Sequence, residues 1–273
     1  MNDILKVIIL ALIEGITEFL PISSTGHLII ANEFINLKPE SFANAFNVII
    51  QLGAILSVVV IYFEKLNFLS SQKTPQQRKN TLDIWKKVII GFFPAAVFGF
   101  LFDDIIEKYL FNPQVVAFML LFYGVVIVVL ENRRKKNSIK NISQMSYATA
   151  LKIGLFQCAA MIPGTSRSAA TIIGAVLLGA NRKTAAEFSF FLAIPTMVGA
   201  TGYKMLKLFL SNSDISAYQI FLILLGSIIS FIVALIVIRK FMSYIQKHNF
   251  VLFGLYRIVL AIVIFIYFRV KGV

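Results

Sequence analysis

E-G-I-T-E-F-L-P-I-S-S-T-G-H, Glu14 to His27, interrupts a chain segment that is otherwise apolar enough to sit in a membrane. A second polar cluster, P-G-T-S-R-S-A-A-T from Pro163 to Thr171, does the same in the other half of the sequence. Carboxylates, an imidazole, a guanidinium and a row of hydroxyls are costly in hydrocarbon, roughly 2.5–3.5 kcal/mol for a charge at a helix centre, and such groups usually mark a functional path. The two clusters are therefore expected to meet.

Composition fixes the solvent. Of 273 residues, 58% are hydrophobic and only 14% charged, against about 25% charged in a soluble domain. Mean hydropathy is +0.83. The net charge of +13 does not form a nucleic-acid groove, because the cations cluster between apolar runs in the positive-inside pattern. The lone cysteine, Cys158, allows no internal disulfide. Glu14 and Glu18 interrupt the first apolar stretch, so a cleaved signal peptide is not expected.

Six runs are predicted to cross: Phe42–Phe63, Val88–Ile105, Gln114–Leu130, Ala185–Leu208, Tyr218–Ile238 and Phe250–Phe268. Around the first cluster, the apolar arms are Ile4–Leu20 and Ile22–Ala31; around the second, Leu151–Ile162 and Ala169–Leu178. These arms are short for a full crossing at 1.5 Å per residue. Read as two re-entrant hairpins, they place the main basic segments on one side. Those hold Lys65, Lys73, Arg78, Lys79, Lys86 and Lys87; Arg133, Arg134, Lys135, Lys136, Lys140 and Lys152; Arg182 and Lys183; and Arg239, Lys240 and Lys247. Lys6, Lys38, Lys108, Lys204, Lys207, Arg269 and Lys271 fall on the other, and Arg167 and Arg257 lie within membrane segments. The expected fold is an all-α polytopic membrane protein, one domain over 1–273, with six transmembrane helices and two re-entrant hairpins. The order helix, proline, Ser/Thr-rich turn, helix, long span recurs around Pro21 and Pro163, which predicts an inverted-topology repeat with halves at about 1–131 and 147–273.

Glu14 and Glu18 are one helical turn apart, on one face. Paired carboxylates repel unless a cation lies between them, which makes them candidate ligands for Mg²⁺ or Ca²⁺. Ser23, Ser24 and Thr25 follow Pro21 where a new helix begins; hydroxyls there can act as caps, and Gly26 permits close backbone approach. Capping does not account for two glutamates and His27 in the same turn. In the second cluster Gly164, Thr165, Ser166, Arg167 and Ser168 stand at another helix start, where free N–H groups and a guanidinium favour an anion such as phosphate. Pairing of Arg167 with Glu14, Glu18 or Glu187 is the structural alternative. Glu187 ranks below the two N-terminal glutamates, Gln51, Arg257 and Cys158 read as helix-packing groups, and His248 reads as solvated.

The motifs E-G-x-T-E-F-L-P-x-S-S-T-G-H and P-G-x-S-R-S resemble the two signatures of the BacA/UppP-type undecaprenyl-pyrophosphate phosphatases. The resemblance runs over nearly the whole chain, through Gln51-Leu52-Gly53, Glu187-Phe188-Ser189-Phe190 and Tyr256-Arg257, and departs at Ala169, where the family usually has glycine. It implies a bacterial plasma (inner) membrane enzyme with its site opening to the outer face. The enzyme would use a divalent cation to remove the terminal phosphate of undecaprenyl pyrophosphate. That reaction regenerates a cell-wall lipid carrier and opposes bacitracin. Together the two readings give Ser24 as nucleophile, with Ser23, Thr25 or water as substitutes. Arg167, Ser23, Thr25, Gly26, Gly164, Thr165, Ser166 and Ser168 would hold the pyrophosphate. Glu14, Glu18 and His27 would divide the roles of base, metal ligand and leaving-group acid. The expected partners are this lipid substrate, membrane lipids and, as an option the sequence leaves open, a second copy of the chain. A lipid-phosphate transporter using the same midplane site is the rival class.

Overall fold

The computed structural model describes residues 2–133, 138–210 and 216–271. Arg134, Lys135 and Lys136 of the main basic segments lie outside the described residues, as do the Lys207 side chain, Met1, Gly272 and Val273. The chain runs α1 (Asp3–Thr17), α2 (Ser24–Ile35), α3 (Glu40–Ile61), α4 (Phe63–Leu66), α5 (Pro75–Leu110), α6 (Pro113–Glu131), α7 (Tyr147–Cys158), α8 (Arg167–Leu177), α9 (Arg182–Leu210), α10 (Ala217–Lys247) and α11 (Val251–Lys271). Among the described residues, regular structure is helical apart from one isolated bridge, Ile139 to Ala180.

Six helices, α3, α5, α6, α9, α10 and α11, contain stretches long and apolar enough to cross a membrane. The chain is thus an all-helical, multi-pass membrane protein. The remaining motif-bearing helices are short. α1, α2, α7 and α8 have 15, 12, 12 and 11 residues. At the α-helical rise these are about 17–23 Å long, less than the ~30 Å hydrocarbon core.

Sequence signals set most boundaries. Thr74 and Gln77 form a reciprocal capping box with Pro75 as the first helical residue. This starts α5 thirteen residues before the apolar run Val88–Ile105, so Arg78, Lys79, Lys86 and Lys87 lie on a helix and not in a loop. Ser216 and Gln219 start α10 in the same way. The first arm corrects a boundary. α1 stops at Thr17, well before Pro21, and α2 continues past Ala31 to Ile35. Proline disfavours helical backbone in the residue before it, so the unwinding reaches upstream of the ring itself.

α10 lies against both α1 and α3, α5 lies against α7 and α9, α6 pairs with α11, and α8 fits between α7 and α9. Close contacts use glycine. A Cβ on Gly154 of α7 would run into the Gly91 backbone of α5, and one on Gly53 of α3 would sit 2.5 Å from the Ser227 carbonyl oxygen of α10. Gly124 of α6 and Gly254 of α11 face each other in the same manner. Small residues of this kind let membrane helices approach backbone to backbone, where dispersion replaces the missing hydrophobic drive. Ionic contacts tie the rims: Lys65 to Glu187 at 2.7 Å, and Arg182 to Glu131 through two bonds of 3.1 and 2.6 Å.

Overpacking at such a contact typically costs about 1–3 kcal/mol. Gly154→Ala should therefore lower the thermal unfolding midpoint in detergent by several degrees. Gly202→Ala, where an added Cβ meets nothing within 4 Å, should leave it unchanged.

Candidate functional site

The two polar turns meet. α1 ends with Glu18 as its last helical turn closes, and the chain reverses through Phe19–Ile22 before α2 begins at Ser24. Ser23 caps α2 at φ 72°, accepting from Gly26 N–H at 3.3 Å. Ser166 caps α8 at φ 71°, accepting from Ala169 N–H at 3.2 Å. Both serines adopt a left-handed backbone that non-glycine residues rarely visit, and such strain concentrates at functional turns. Gly164, at φ 90°, needs to be glycine on two counts: its conformation, and the Val116 carbonyl oxygen 2.5 Å from where a Cβ would stand.

Side chains from both turns converge on Glu18. The Ser24 hydroxyl donates to Glu18 Oε2 at 2.6 Å, and Arg167 Nη2 donates to Glu18 Oε1 at 3.3 Å. Arg167 Nη1 also donates to the Ser189 carbonyl at 3.0 Å, which fixes the guanidinium while Nε is left without a partner. Ser168 bridges the turns by donating to the Leu20 carbonyl at 2.8 Å, and it shares a 3.0 Å bond with Ser166. Ser24, Glu18, Arg167 and Ser168 are all buried.

Glu14 is fully buried, and among the described residues no donor reaches either of its oxygens. Its charged neighbours are Glu18 and Arg167. A carboxylate in that position has strong reason to take a cation, because an unsatisfied buried acceptor carries its whole desolvation cost. The Thr165 hydroxyl is likewise buried without a partner. No group of three or more His, Cys, Asp or Glu residues suited to a metal occurs among the described residues. Two carboxylates suit Mg²⁺, which keeps several waters and shares substrate phosphates; Ca²⁺ commonly takes six to eight oxygens.

His27 takes partners other than Ser24 and the two glutamates. Its Nδ1 lies 2.7 Å from the Ser23 carbonyl and its Nε2 lies 2.6 Å from the Tyr256 hydroxyl. The Ser24 hydroxyl goes to Glu18 instead. Thr25 is half-buried, and Gly26 packs beneath Leu120 and Val116 of α6. Glu187 pairs with Lys65 and stands apart from Arg167. His248 is exposed and stacks on Tyr244.

Arg257 corrects the sequence reading most. It is fully buried, and its guanidinium donates to five carbonyls: Pro21 in the first turn, Gly164 and Thr165 in the second, and Met119 and Leu120 of α6. Packing between helices is the least of its work; it clasps both turns. The signal was available, since Arg257 is the one charge inside the apolar run Phe250–Phe268. Tyr256 and Ser189, which hold His27 and Arg167, gave no such signal. Lysine cannot span these carbonyls with one ammonium. Arg257→Lys should lower the unfolding midpoint and expose both turns to protease, whereas Arg239→Lys, at the exposed end of α10, should do neither.

Residues 7–263 match the family model described as bacitracin resistance protein BacA. The undecaprenyl-diphosphatase 1 of Clostridioides difficile (strain 630) is 51% identical over 267 residues, covering 97% of this chain and 96% of that protein. The undecaprenyl-diphosphatase of Streptococcus thermophilus (strain ATCC BAA-250 / LMG 18311) is 48% identical over 272 residues, 98% of this chain and 94% of that protein. That of Enterococcus faecalis is 48% identical over 267 residues, 96% of each. With a match over nearly its whole length and relatives at this identity, the chain belongs to the BacA family.

Proposed function

We propose that the protein is an undecaprenyl-diphosphatase: it hydrolyses undecaprenyl pyrophosphate to undecaprenyl phosphate and inorganic phosphate. By returning the lipid carrier to cell-wall synthesis, it gives resistance to bacitracin. The observation that carries the reading is the 2.6 Å bond from Ser24 to Glu18, with Arg167 from the other turn on the same carboxylate. A nucleophile, a base and a fixed cation converge there in a buried, polar site.

The chemistry follows from that arrangement. Arg167 and the first N–H groups of α8 bind the terminal phosphate and offset charge that grows in the transition state. Ser24 Oγ attacks the terminal phosphorus while its proton passes to Glu18 Oε2. The bond from phosphorus to the bridging oxygen breaks, and undecaprenyl phosphate leaves. Glu18 gives that proton up to the departing oxygen and is a carboxylate again; water then passes a proton to it while attacking the phosphoserine, and the proton returns to Ser24 Oγ as inorganic phosphate leaves. Glu14, with Glu18 beside it, would hold a divalent cation; when bound, that ion supplies further neutralisation of the phosphate oxygens. Every group named comes from one chain, so the reading needs no second copy.

The inverted repeat draws support from the paired features. Both turns carry a capping serine at φ near 70°. α1 lies against α10 of the second half while α7 lies against α5 of the first, and α6 pairs with its counterpart α11. On this reading the short arms are re-entrant, the protein resides in the bacterial plasma membrane, and the site opens outward along α2.

Two experiments test this reading. Ser24→Ala in purified protein should abolish phosphate release from undecaprenyl pyrophosphate and any acid-stable phosphoenzyme while substrate still binds, and Glu18→Gln should cost at least about a hundredfold in turnover. Chelation of divalent ions should suppress the wild type reversibly. Turnover surviving in Ser24→Ala without a phosphoenzyme would point to direct attack by water. For topology, cysteines placed at Lys79 and Lys247 in a Cys158→Ala background should both resist a membrane-impermeant label added from outside. Labelling at 247 but not at 79 would rule out the two-hairpin arrangement.

A further inference from the structure

His27 holds both of its ring nitrogens in defined bonds. Nδ1 faces the Ser23 carbonyl at 2.7 Å. A carbonyl only accepts, so Nδ1 carries a proton. Nε2 faces the Tyr256 hydroxyl at 2.6 Å, and the two rings lie parallel, 2° apart in plane with centroids 5.6 Å apart. In a neutral imidazole protonated at Nδ1, the other nitrogen is an acceptor, and the Tyr256 O–H donates to it. Ser23 is the strained cap of α2, and Tyr256 precedes Arg257, the residue that clasps both turns. The imidazole is thereby gripped between a backbone position set by the first turn and a side chain set by α11. Tyr256 is 44% exposed, so the bond stands at the rim of the site and not in its floor.

We propose that Tyr256 is a positioning residue for the phosphatase reaction: its hydroxyl fixes His27 in the Nδ1-protonated tautomer and holds Nε2 at the rim of the site, poised to exchange a proton. That His27 exchanges a proton during turnover is part of this proposal and rests on the phosphatase reading above, whereas the tautomer itself does not. A histidine's tautomer is set by the bond its other nitrogen makes, and a ring free to flip would present either nitrogen. Tyr256 adds a second constraint to the one from Ser23, and it does so from an element that neither sequence motif contains.

The chain has only two histidines, His27 and His248, and His248 is exposed at the end of α10, where it stacks on Tyr244. In H248Q protein labelled with ¹⁵N-histidine and purified in detergent, the imidazole nitrogens therefore report on His27 alone. The expected spectrum is that of the Nδ1–H tautomer with a hydrogen-bonded, unprotonated Nε2. Adding Tyr256→Phe, which keeps the ring and its packing, should shift the Nε2 resonance. With undecaprenyl pyrophosphate it should lower kcat about tenfold, with KM within about twofold and an unchanged unfolding midpoint. A wild-type-like spectrum protonated at Nε2 alone overturns the proposal without reference to any Tyr256 variant. So does a Tyr256→Phe spectrum that matches its parent, or an altered spectrum with unaltered kcat. If the parent released no phosphate at all, the function would fail while the tautomer assignment could still stand.

Discussion

Arg257 places a full positive charge inside the protein with no described carboxylate at ion-pair distance. Carbonyl dipoles do the compensating. Five of them point at one guanidinium, and the Tyr123 ring lies 5.8 Å from it. Three of those carbonyls belong to backbone that has left helical geometry, and a buried carbonyl without a donor costs free energy comparable to a lost hydrogen bond. The charge and the broken backbone thus solve each other's problem. The residue that satisfies carbonyls of both turns also ties them to each other.

With the turns held, the site divides by sign. Glu14 and Thr165 present polar atoms that nothing among the described residues satisfies, and Arg167 Nε likewise has no partner among them. A ligand that carries negative charge together with a cation would satisfy all of them, and a pyrophosphate with a bound metal is such a ligand. In a low-dielectric surrounding these interactions are far stronger than in water, which is why so small a set of groups suffices. The bond from Ser24 to Glu18 is what the proposed nucleophilic role rests on.

Membrane character, the six long spans and the pairing of the two motifs were legible in the sequence because each depends on local polarity. Hydrocarbon penalises a misplaced charge or hydroxyl so heavily that the exceptions announce themselves, as Glu14, Glu18, Ser24 and Arg167 do. Helix boundaries were less legible. α5 begins far outside its apolar run because a capping box and amphipathic surface, not hydrophobicity, start it. Arg257 was legible as a charge in the wrong solvent, yet its work was misread, since its partners are carbonyls and carbonyls leave no trace in composition.

By itself, then, the sequence determined the solvent, the helical class and which side chains had to find each other. Tertiary structure decided how they were shared out. It gave Ser24 to Glu18 and His27 to Tyr256, although Ser24 and His27 are neighbours in the chain. It paired Glu187 with Lys65 and left Glu14 without a donor. The bond from Ser24 to Glu18 spans one turn of chain, but the partners of His27 and Glu187 come from elements 229 and 122 residues away, so directions between distant elements decide them. Two residues at the same spacing along the chain can face the same group or opposite ones, and only the packed helices settle which.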